Sequence, residues 1–170
     1  KNPFILSVGR LNSQKNYELL IRIFYHIIKD KKFKNYKLFI LGDGREKEKL
    51  NKLINDCGLK NKAYLLGFKE NPYKFMKKCK LFILSSKYEG HSNVLVHSQI
   101  LNNKILASHA YGANKEVLQN YGDIFSSKNP NDIAIQARNI LKKKKKINSE
   151  KYLYNRFNDQ NVALKFSKLF

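Results

Sequence analysis

The sequence predicts a doubly wound α/β fold, in which helices cover both faces of a parallel sheet of about six strands, giving three α/β/α layers. Short apolar runs bounded by Gly, Pro and Asn alternate about six times with stretches of helix length. Several runs are apolar throughout, as expected for strands covered on both faces. The unusual polar loops all follow strands, so this fold would gather them at one edge of the sheet.

Six apolar runs are the predicted strands. Phe4–Val8 comes first, and the others are residues 36–41, 63–66, 80–84, 105–107 and 122–125. After the first strand, Asn16 is the predicted N-cap of a helix with Glu18 in its first turn. Its apolar stripe repeats at helical spacing and consists of Leu19, Leu20, Ile23, Phe24, Ile27 and Ile28.

The remaining crossovers are predicted as helices in turn. Residues 46–56 are amphipathic and end at Gly58, and Asn71-Pro72 begins a short helix because Pro suits the first helical position. Residues 94–101 and 116–120 follow the fourth and fifth strands. Residues 129–132 cap a helix over 133–141, and a terminal helix carries Phe157, Val162, Leu164, Phe166 and Leu169.

The charge is strongly basic, with 34 Lys and Arg against 13 Asp and Glu and a formal net charge of +21. One interpretation is an anionic partner, either a membrane surface or nucleic acid. The other is compositional drift, because Lys and Asn are abundant as AT-rich coding would give. The lysine run at residues 142–146 fits lipid headgroups or a solvated helix end. Cys57 and Cys79 are predicted to be thiols, and no apolar run approaches the roughly 20 residues of a membrane span.

The stretch at residues 85–97 is the first candidate site. It leaves an apolar strand through a small, polar turn and enters a helix. The N–H groups of Ser92, Asn93 and Val94 would then point outward at the positive end of the helix dipole, which favours an anionic ligand. Glu89 adds a lone carboxylate, which suits hydroxyl groups better than phosphate. This pattern predicts a pocket for a ligand that carries both an anionic group and hydroxyl groups.

Two other loops are predicted to reach the same edge. Arg10 and Lys15 follow the first strand, and two cations there could clamp a diphosphate or could be solvated. Gly42 and Gly44 would let the backbone approach a base or ribose, although turn formation alone also explains them. The glycines match neither GxGxxG nor a P-loop, which disfavours ATP hydrolysis.

The motifs also carry a resemblance. In order they read GRLNSQKN, GDGREKEKL, LGFKENPYKFMKKCKLFILSSKYEGHSNVLVHS, SHAYGANKE and RFNDQNVALKFSKLF. Together they resemble the C-terminal, donor-binding half of a GT-B retaining glycosyltransferase of the family 4, or group 1, type, with its Rossmann-like domain. The resemblance implies that residues 1–170 are one nucleotide-sugar-binding domain, a fragment that lacks the N-terminal acceptor domain.

The resemblance also implies roles for single residues. Glu89, Arg10 and Lys15 would be catalytic: Glu89 takes sugar hydroxyls as the first glutamate of an E-x7-E motif, and the two cations hold the diphosphate. His97 stands where the second glutamate, which takes the ribose hydroxyls, is expected. The remaining donor-binding positions are Gly9, Gly42, Gly44, Phe68, Gly90, His91, Ser92, Asn93, Val94 and Glu116.

The implied function is transfer of a hexosyl or N-acetylhexosaminyl group from a UDP- or GDP-sugar, with retention, to a glycan or lipid-linked acceptor in surface polysaccharide or glycoconjugate assembly. It implies an enzyme at the cytoplasmic membrane face, without cofactor or metal. His91, His97 and His109 match no standard ligand spacing. The isolated chain is expected to be inactive. The alternatives are a catalytically degenerate binding module, suggested by His97, and a basic nucleic-acid binder, suggested only by charge.

Overall fold

The computed structural model describes residues 2–101 and 103–144, which form one six-stranded parallel sheet. The order is β3-β2-β1-β4-β5-β6, so the predicted α/β class is confirmed. The predicted terminal helix and residues 145 and 146 of the lysine run lie outside the described residues. The strands are β1 Phe4–Val8, β2 Lys37–Leu41, β3 Ala63–Leu65, β4 Leu81–Leu84, β5 Ile105–Ser108 and β6 Asp123–Phe125.

The described helices are α1 Tyr17–Ile28, α2 Lys47–Asp56, α3 Tyr73–Met76, α4 Asn93–Ile100, α5 Ala113–Leu118 and α6 Pro130–Lys142. Two 3-10 turns accompany them, at Lys31–Phe33 and Ala110–Gly112. Helices α5 and α6 each begin three residues earlier than predicted. In α6 the reason is that Pro130 starts the helix while the side chain of Asn129 accepts a hydrogen bond from the backbone N–H of Asn131 at 2.9 Å. In these residues no helix is long and apolar enough to cross a bilayer.

Each face of the sheet has its own apolar core. Ile5 belongs to the core under α1, α2 and α6, whereas its neighbour Leu6 packs with Phe82 and Leu95 on the α4 face. Both are fully buried. Alternate strand residues therefore point into opposite cores, which is why the strands are apolar throughout. Cys57 and Cys79 are half-buried thiols.

The start of α1 is held from outside the helix. Asn16 is the N-cap residue as predicted, but it has left-handed backbone angles, φ 50° and ψ 48°, and its side chain makes no capping bond. The Ser85 hydroxyl, just beyond β4, lies 2.9 Å from the Lys15 carbonyl and 3.1 Å from the Asn16 carbonyl. The loop after β4 thus fixes the loop after β1.

The loops after β1 and β2 pack backbone against backbone. The N–H of Leu11 donates to the Asp43 carbonyl at 2.9 Å, and the N–H of Glu46 donates to the Leu11 carbonyl at 3.1 Å. A Cβ at Gly42, where φ is 138°, would lie 2.0 Å from the Gly9 carbonyl oxygen, and one at Gly44 would lie 2.5 Å from that of Leu11. This approach requires glycine at both positions, independently of any ligand.

The clash at Gly42 gives a test of this packing. We expect Gly42→Ala to lower the free energy of unfolding by at least about 3 kcal/mol, because positive φ and a backbone overlap both oppose the methyl group. Gly58→Ala is the matched control, since Gly58 also has positive φ (+68°) but open space around it. That control should lose only about 1 kcal/mol in urea denaturation. Equal losses in the two variants would contradict the loop packing.

Candidate functional site

The strand order reverses between β1 and β4, since the chain adds β2 and β3 on one side and β5 and β6 on the other. In doubly wound sheets, ligands bind in the crevice outside the carboxyl ends of the strands at such a point. The loops at residues 9–16 and 85–92 follow these two strands and therefore flank the crevice. The geometry of their side chains decides what can bind there.

An ion pair between Lys15 and Glu89 joins the two loops. Lys15 Nζ lies 2.6 Å from Glu89 Oε1, and the side chains are only 15% and 7% exposed. The Ser86 hydroxyl donates to the same Oε1 at 2.6 Å. Glu89 Oε2 makes no hydrogen bond to another residue in the described part of the chain, so it is the oxygen left to accept a bond from a ligand.

Gln14 holds the two loops together on either side of Tyr88. Its side-chain amide donates to the Tyr88 carbonyl at 3.1 Å, and its own backbone carbonyl accepts from the backbone N–H of Lys87 at 2.8 Å. These bonds fix the backbone that carries Glu89. No role was predicted for Gln14 from the sequence, where its position in a polar loop after a strand was the only signal.

A second chain of bonds extends from the β4 loop to the β5 loop. Ser108 donates from its hydroxyl to the Ser86 carbonyl at 2.5 Å, and the buried Asn114 amide donates to the Ser108 carbonyl at 2.9 Å. Glu116, two residues after Asn114, lies exposed on α5. No individual role was predicted for Ser86 or Ser108, although Ser86 lies in the candidate stretch and each is a hydroxyl residue at the carboxyl end of an apolar strand.

The start of α4 presents unused donors beside this pair. Ser92 occupies the N-cap position and is 3% exposed, yet its hydroxyl makes no capping bond and has no hydrogen-bond partner among the described residues. The first backbone N–H groups of a helix have no partner within the helix, and the dipole there is positive. Asn93 and Val94 supply such groups, and Gly90 and His91 precede them as exposed residues. The arrangement suits an anion.

Arg10 lies on the same loop as Lys15 but faces solvent. Its guanidinium makes no hydrogen bond or ion pair with the residues that the structure describes. It is therefore an available cation at the mouth of the crevice, with Gly9 beside it at the end of β1. The structure thus brings Lys15 to Glu89 and leaves Arg10 apart from both.

The residues predicted to lie on the base and ribose side do not take part in the hydrogen bonds that join the loops described above. Phe68 is 74% exposed beyond β3. His97 is half-buried and packs edge-on against Tyr73 of α3, with ring centroids 5.3 Å apart and an interplanar angle of 77°. Within residues 2–101 and 103–144, no three His, Cys, Asp or Glu side chains lie together as a metal site requires.

A polar pair that was not predicted lies beneath the crevice. The hydroxyls of Tyr17 and Ser7 are fully buried and lie close to each other, but neither forms a well-aligned hydrogen bond with the other or with another described residue. Burial raises the pKa of the Tyr17 hydroxyl well above its ordinary value; the Ser7 hydroxyl opposes this shift only in part, and the negative charge of Glu89 adds to it. Tyr17 therefore stays neutral and provides a dipole under the ion pair.

The fold and the site define an α/β domain whose strand switch point carries a cation, a carboxylate and the N-terminal N–H groups of a helix. In a comparison with known protein families, the family described as Glycosyl transferases group 1 matches residues 1–157. The chain belongs to this family.

Curated relatives are sugar transferases. Over 98 residues the chain is 49% identical to the Campylobacter jejuni N-acetylgalactosamine-N,N'-diacetylbacillosaminyl-diphospho-undecaprenol 4-alpha-N-acetylgalactosaminyltransferase, an alignment that covers 58% of this chain and 26% of that protein. Over 129 residues it is 29% identical to the Staphylococcus aureus poly(ribitol-phosphate) alpha-N-acetylglucosaminyltransferase, covering 75% of this chain and 26% of that protein. The chain therefore matches about a quarter of the length of these relatives.

Solved structures share the fold. A mutant of Staphylococcus aureus TarM, in complex with fondaparinux, alpha-GlcNAc-glycerol and UDP, superposes with a TM-score of 0.82 at 20% identity, over 96% of this chain and 34% of that one. Anabaena Alr3699/HepE with UDP and glucose gives a TM-score of 0.81 at 20% identity, over 98% of this chain and 48% of that one.

The buried ion pair gives a quantitative test. We expect Lys15→Met to destabilise the fold by about 3 kcal/mol, because it leaves the Glu89 carboxylate largely buried without its cation. In a double-mutant cycle with Glu89→Gln, the coupling energy should be about 1–3 kcal/mol. The control is the exposed pair Lys47 and Asp43, 3.2 Å apart, for which we expect a coupling energy close to zero. Additive losses at Lys15 and Glu89 in chemical denaturation would contradict the pairing.

Proposed function

We propose that this chain is the donor-binding part of a retaining glycosyltransferase and that the crevice holds a UDP- or GDP-sugar. One observation carries the proposal: the Lys15–Glu89 ion pair, 2.6 Å long, lies at the strand switch point beside the start of α4. A cation, a carboxylate oxygen and unused N–H donors together match the phosphates and sugar hydroxyls of such a ligand. The UDP in the related solved structures supports the same ligand class.

Glu89 is the proposed contact for the transferred sugar. Its Oε1 is bound by Lys15 and Ser86, which fixes the orientation of the carboxylate. Its Oε2 then accepts hydrogen bonds from sugar hydroxyls. A sugar hydroxyl is a neutral donor, so it can approach the carboxylate without the repulsion that a phosphate would meet.

The diphosphate is the proposed partner of Arg10, Lys15 and the start of α4. During transfer, the bond between the anomeric carbon and the diphosphate oxygen breaks with its electron pair on the diphosphate. The acceptor hydroxyl oxygen bonds to that carbon on the same face and passes its proton to the departing diphosphate. Negative charge develops on the departing diphosphate, where fixed cations and N–H donors stabilise it most effectively. With two cations and a helix dipole aimed at this charge, we expect the transfer to proceed without a metal ion.

The proposed transferred group is a hexose or an N-acetylhexosamine, and the proposed acceptor is a glycan or lipid-linked glycan held by an N-terminal half at the cytoplasmic membrane face. The support is the relatives' names, which include N-acetylgalactosaminyl and N-acetylglucosaminyl transferases and a diphospho-undecaprenol acceptor. A catalytically degenerate binding module is the second candidate. Its support is His97, whose ring packs against Tyr73 and can accept only one hydrogen bond.

Titration of the chain with UDP, GDP and their sugars, followed by amide chemical shifts, tests donor binding. We expect one nucleotide series to shift the amides near Arg10, Lys15 and Ser92, with the sugar adding shifts near Glu89. Absence of shifts at millimolar ligand would contradict the proposal.

The variant Glu89→Gln separates the sugar contact from the phosphate contact. It should weaken binding of the nucleotide sugar by roughly tenfold through loss of a charged acceptor, while UDP or GDP alone binds as well or better because Lys15 is released. Glu70→Gln, an exposed glutamate in another loop, is the control and should change neither. An equal loss for the nucleotide and its sugar would contradict the role of Glu89.

His97 provides a test of the ribose side. We expect His97→Glu to tighten nucleotide binding, because a carboxylate accepts two hydrogen bonds from vicinal hydroxyls where an imidazole accepts one. The measurement is the Kd for UDP or GDP by calorimetry, with a 2'-deoxy nucleotide as the control that should gain less. Unchanged or weaker affinity for the ribonucleotide would contradict a ribose contact at position 97.

A further inference from the structure

The edge of the sheet opposite the crevice carries a concentration of lysine. We define the lysine edge as residues 31–37, 60–62, 77–80 and 142–144 together with Lys104. The first three segments and Lys104 enter β2, β3, β4 and β5, and the last ends α6. This set contains thirteen lysines and no arginine or acid; the acidic residues beside it are Asp30, Asp56 and Asp123. A large part of the positive charge is therefore displayed on one edge.

Some of these lysines have structural roles. Lys62 donates to the Lys34 carbonyl at 2.5 Å, Lys104 donates to the Leu141 carbonyl at 3.0 Å, and Lys37 donates to the Asn61 carbonyl. Helix C-termini also meet this edge, and their dipoles favour cations in the last turn. These roles fix the loops of the edge.

Other lysines of the edge make no such hydrogen bonds. Lys32, Lys34, Lys60 and Lys78 are exposed, and their amines make no hydrogen bond or ion pair with described residues. Lys34 and Lys60 lie in loops outside any α-helix. Their charge is left for a partner outside this part of the chain.

An exposed aliphatic side chain accompanies the lysines. Ile100 is the last residue of α4 and is 49% exposed, close in sequence to Lys104. Helix α4 starts at the crevice and runs back, so its end lies at the opposite edge. An exposed aliphatic side chain at the same edge as clustered lysines is a combination that peripheral proteins present to a bilayer.

We propose that the lysine edge is a docking surface for an anionic lipid bilayer. Lysine is a compact, strongly hydrated point charge that suits diffuse attraction to headgroups, whereas phosphate recognition in nucleic acids draws on arginine. Stacking on bases needs exposed aromatic rings. Among the described residues, the most exposed aromatic rings are those of Phe68, Tyr73, Tyr88 and Tyr111, which belong to loops and helix starts at the crevice edge. The two edges are therefore chemically distinct.

Docking through the lysine edge has a geometric consequence. The crevice lies at the other end of the strands, so it would face away from the bilayer and stay open to a water-soluble donor. A lipid-linked acceptor would then have to carry a glycan long enough to reach from the bilayer to the crevice. This proposal is independent of the donor proposed above, because it rests on charge at the opposite edge. Either can fail while the other holds.

Vesicle co-sedimentation of the full chain tests the docking surface. We expect binding to phosphatidylcholine vesicles that contain phosphatidylglycerol, little binding to pure phosphatidylcholine, and release when salt shortens the Debye length. The variant K32Q/K34Q/K60Q/K78Q should bind at least about tenfold more weakly. The matched control K69Q/K74Q/K115Q/K128Q removes the same charge from exposed lysines elsewhere and should lose less than about twofold.

Three results would overturn the proposal. They are absence of binding to phosphatidylglycerol vesicles, equal losses in the two quadruple variants, and tighter binding to single-stranded RNA through the same four lysines at the same salt. Ile100→Ser adds a second readout, since it should reduce the binding that survives high salt. Thermal unfolding of each variant checks that the fold is retained.

Discussion

The ion pair between Lys15 and Glu89 is the contact on which the site depends. Both side chains are mostly removed from water, and the desolvation of two charges is offset only when the geometry is good and further hydrogen bonds are made. Ser86 provides one such bond to the carboxylate, and Gln14 and Ser85 fix the backbones on either side. The pair therefore makes one rigid unit of two loops that are distant in sequence.

This unit also determines which charged groups a ligand would meet in the crevice. In the structure, Lys15 and Glu89 neutralise each other, so the crevice presents little net charge from them. A diphosphate that approaches Lys15 competes with Glu89 for the ammonium group, while Arg10 is already available. Binding would then redistribute hydrogen bonds within a preformed frame, since the loops remain tied through Gln14, Ser85 and Ser108.

The fold could be predicted from the sequence because its signals are local. Each strand is an apolar run, each helix has apolar spacing or a cap, and the rule that ligands bind beyond strand ends predicts where a site would lie. Even Asn16 was placed correctly as a cap position, although Ser85 holds it by bonds that no local pattern encodes. The late predicted start of α6 is a misreading of Pro130, which begins the helix instead of preceding it.

The details of the site could not be predicted in the same way. The bond between Lys15 and Glu89 spans 74 residues, so neither side chain's sequence neighbours reveal it. Gly42 and Gly44 illustrate the opposite difficulty: the sequence left open close approach to a base or ribose and plain turn formation, and the structure shows close approach to another loop. Close approach to a ligand and close approach to another loop both favour glycine. Only the positions of the Gly9 and Leu11 carbonyls show that the second applies here.

The contact of Gly42 and Gly44 with the first loop has a consequence for protein engineering and for the evolution of this domain. Because the two loops interlock through their backbones, neither can be lengthened or exchanged alone without displacing the other. A graft intended to change ligand preference would have to transplant residues 9–16 and 42–46 as a pair. Natural variants of this domain are expected to have altered the two segments together, as a single inherited module.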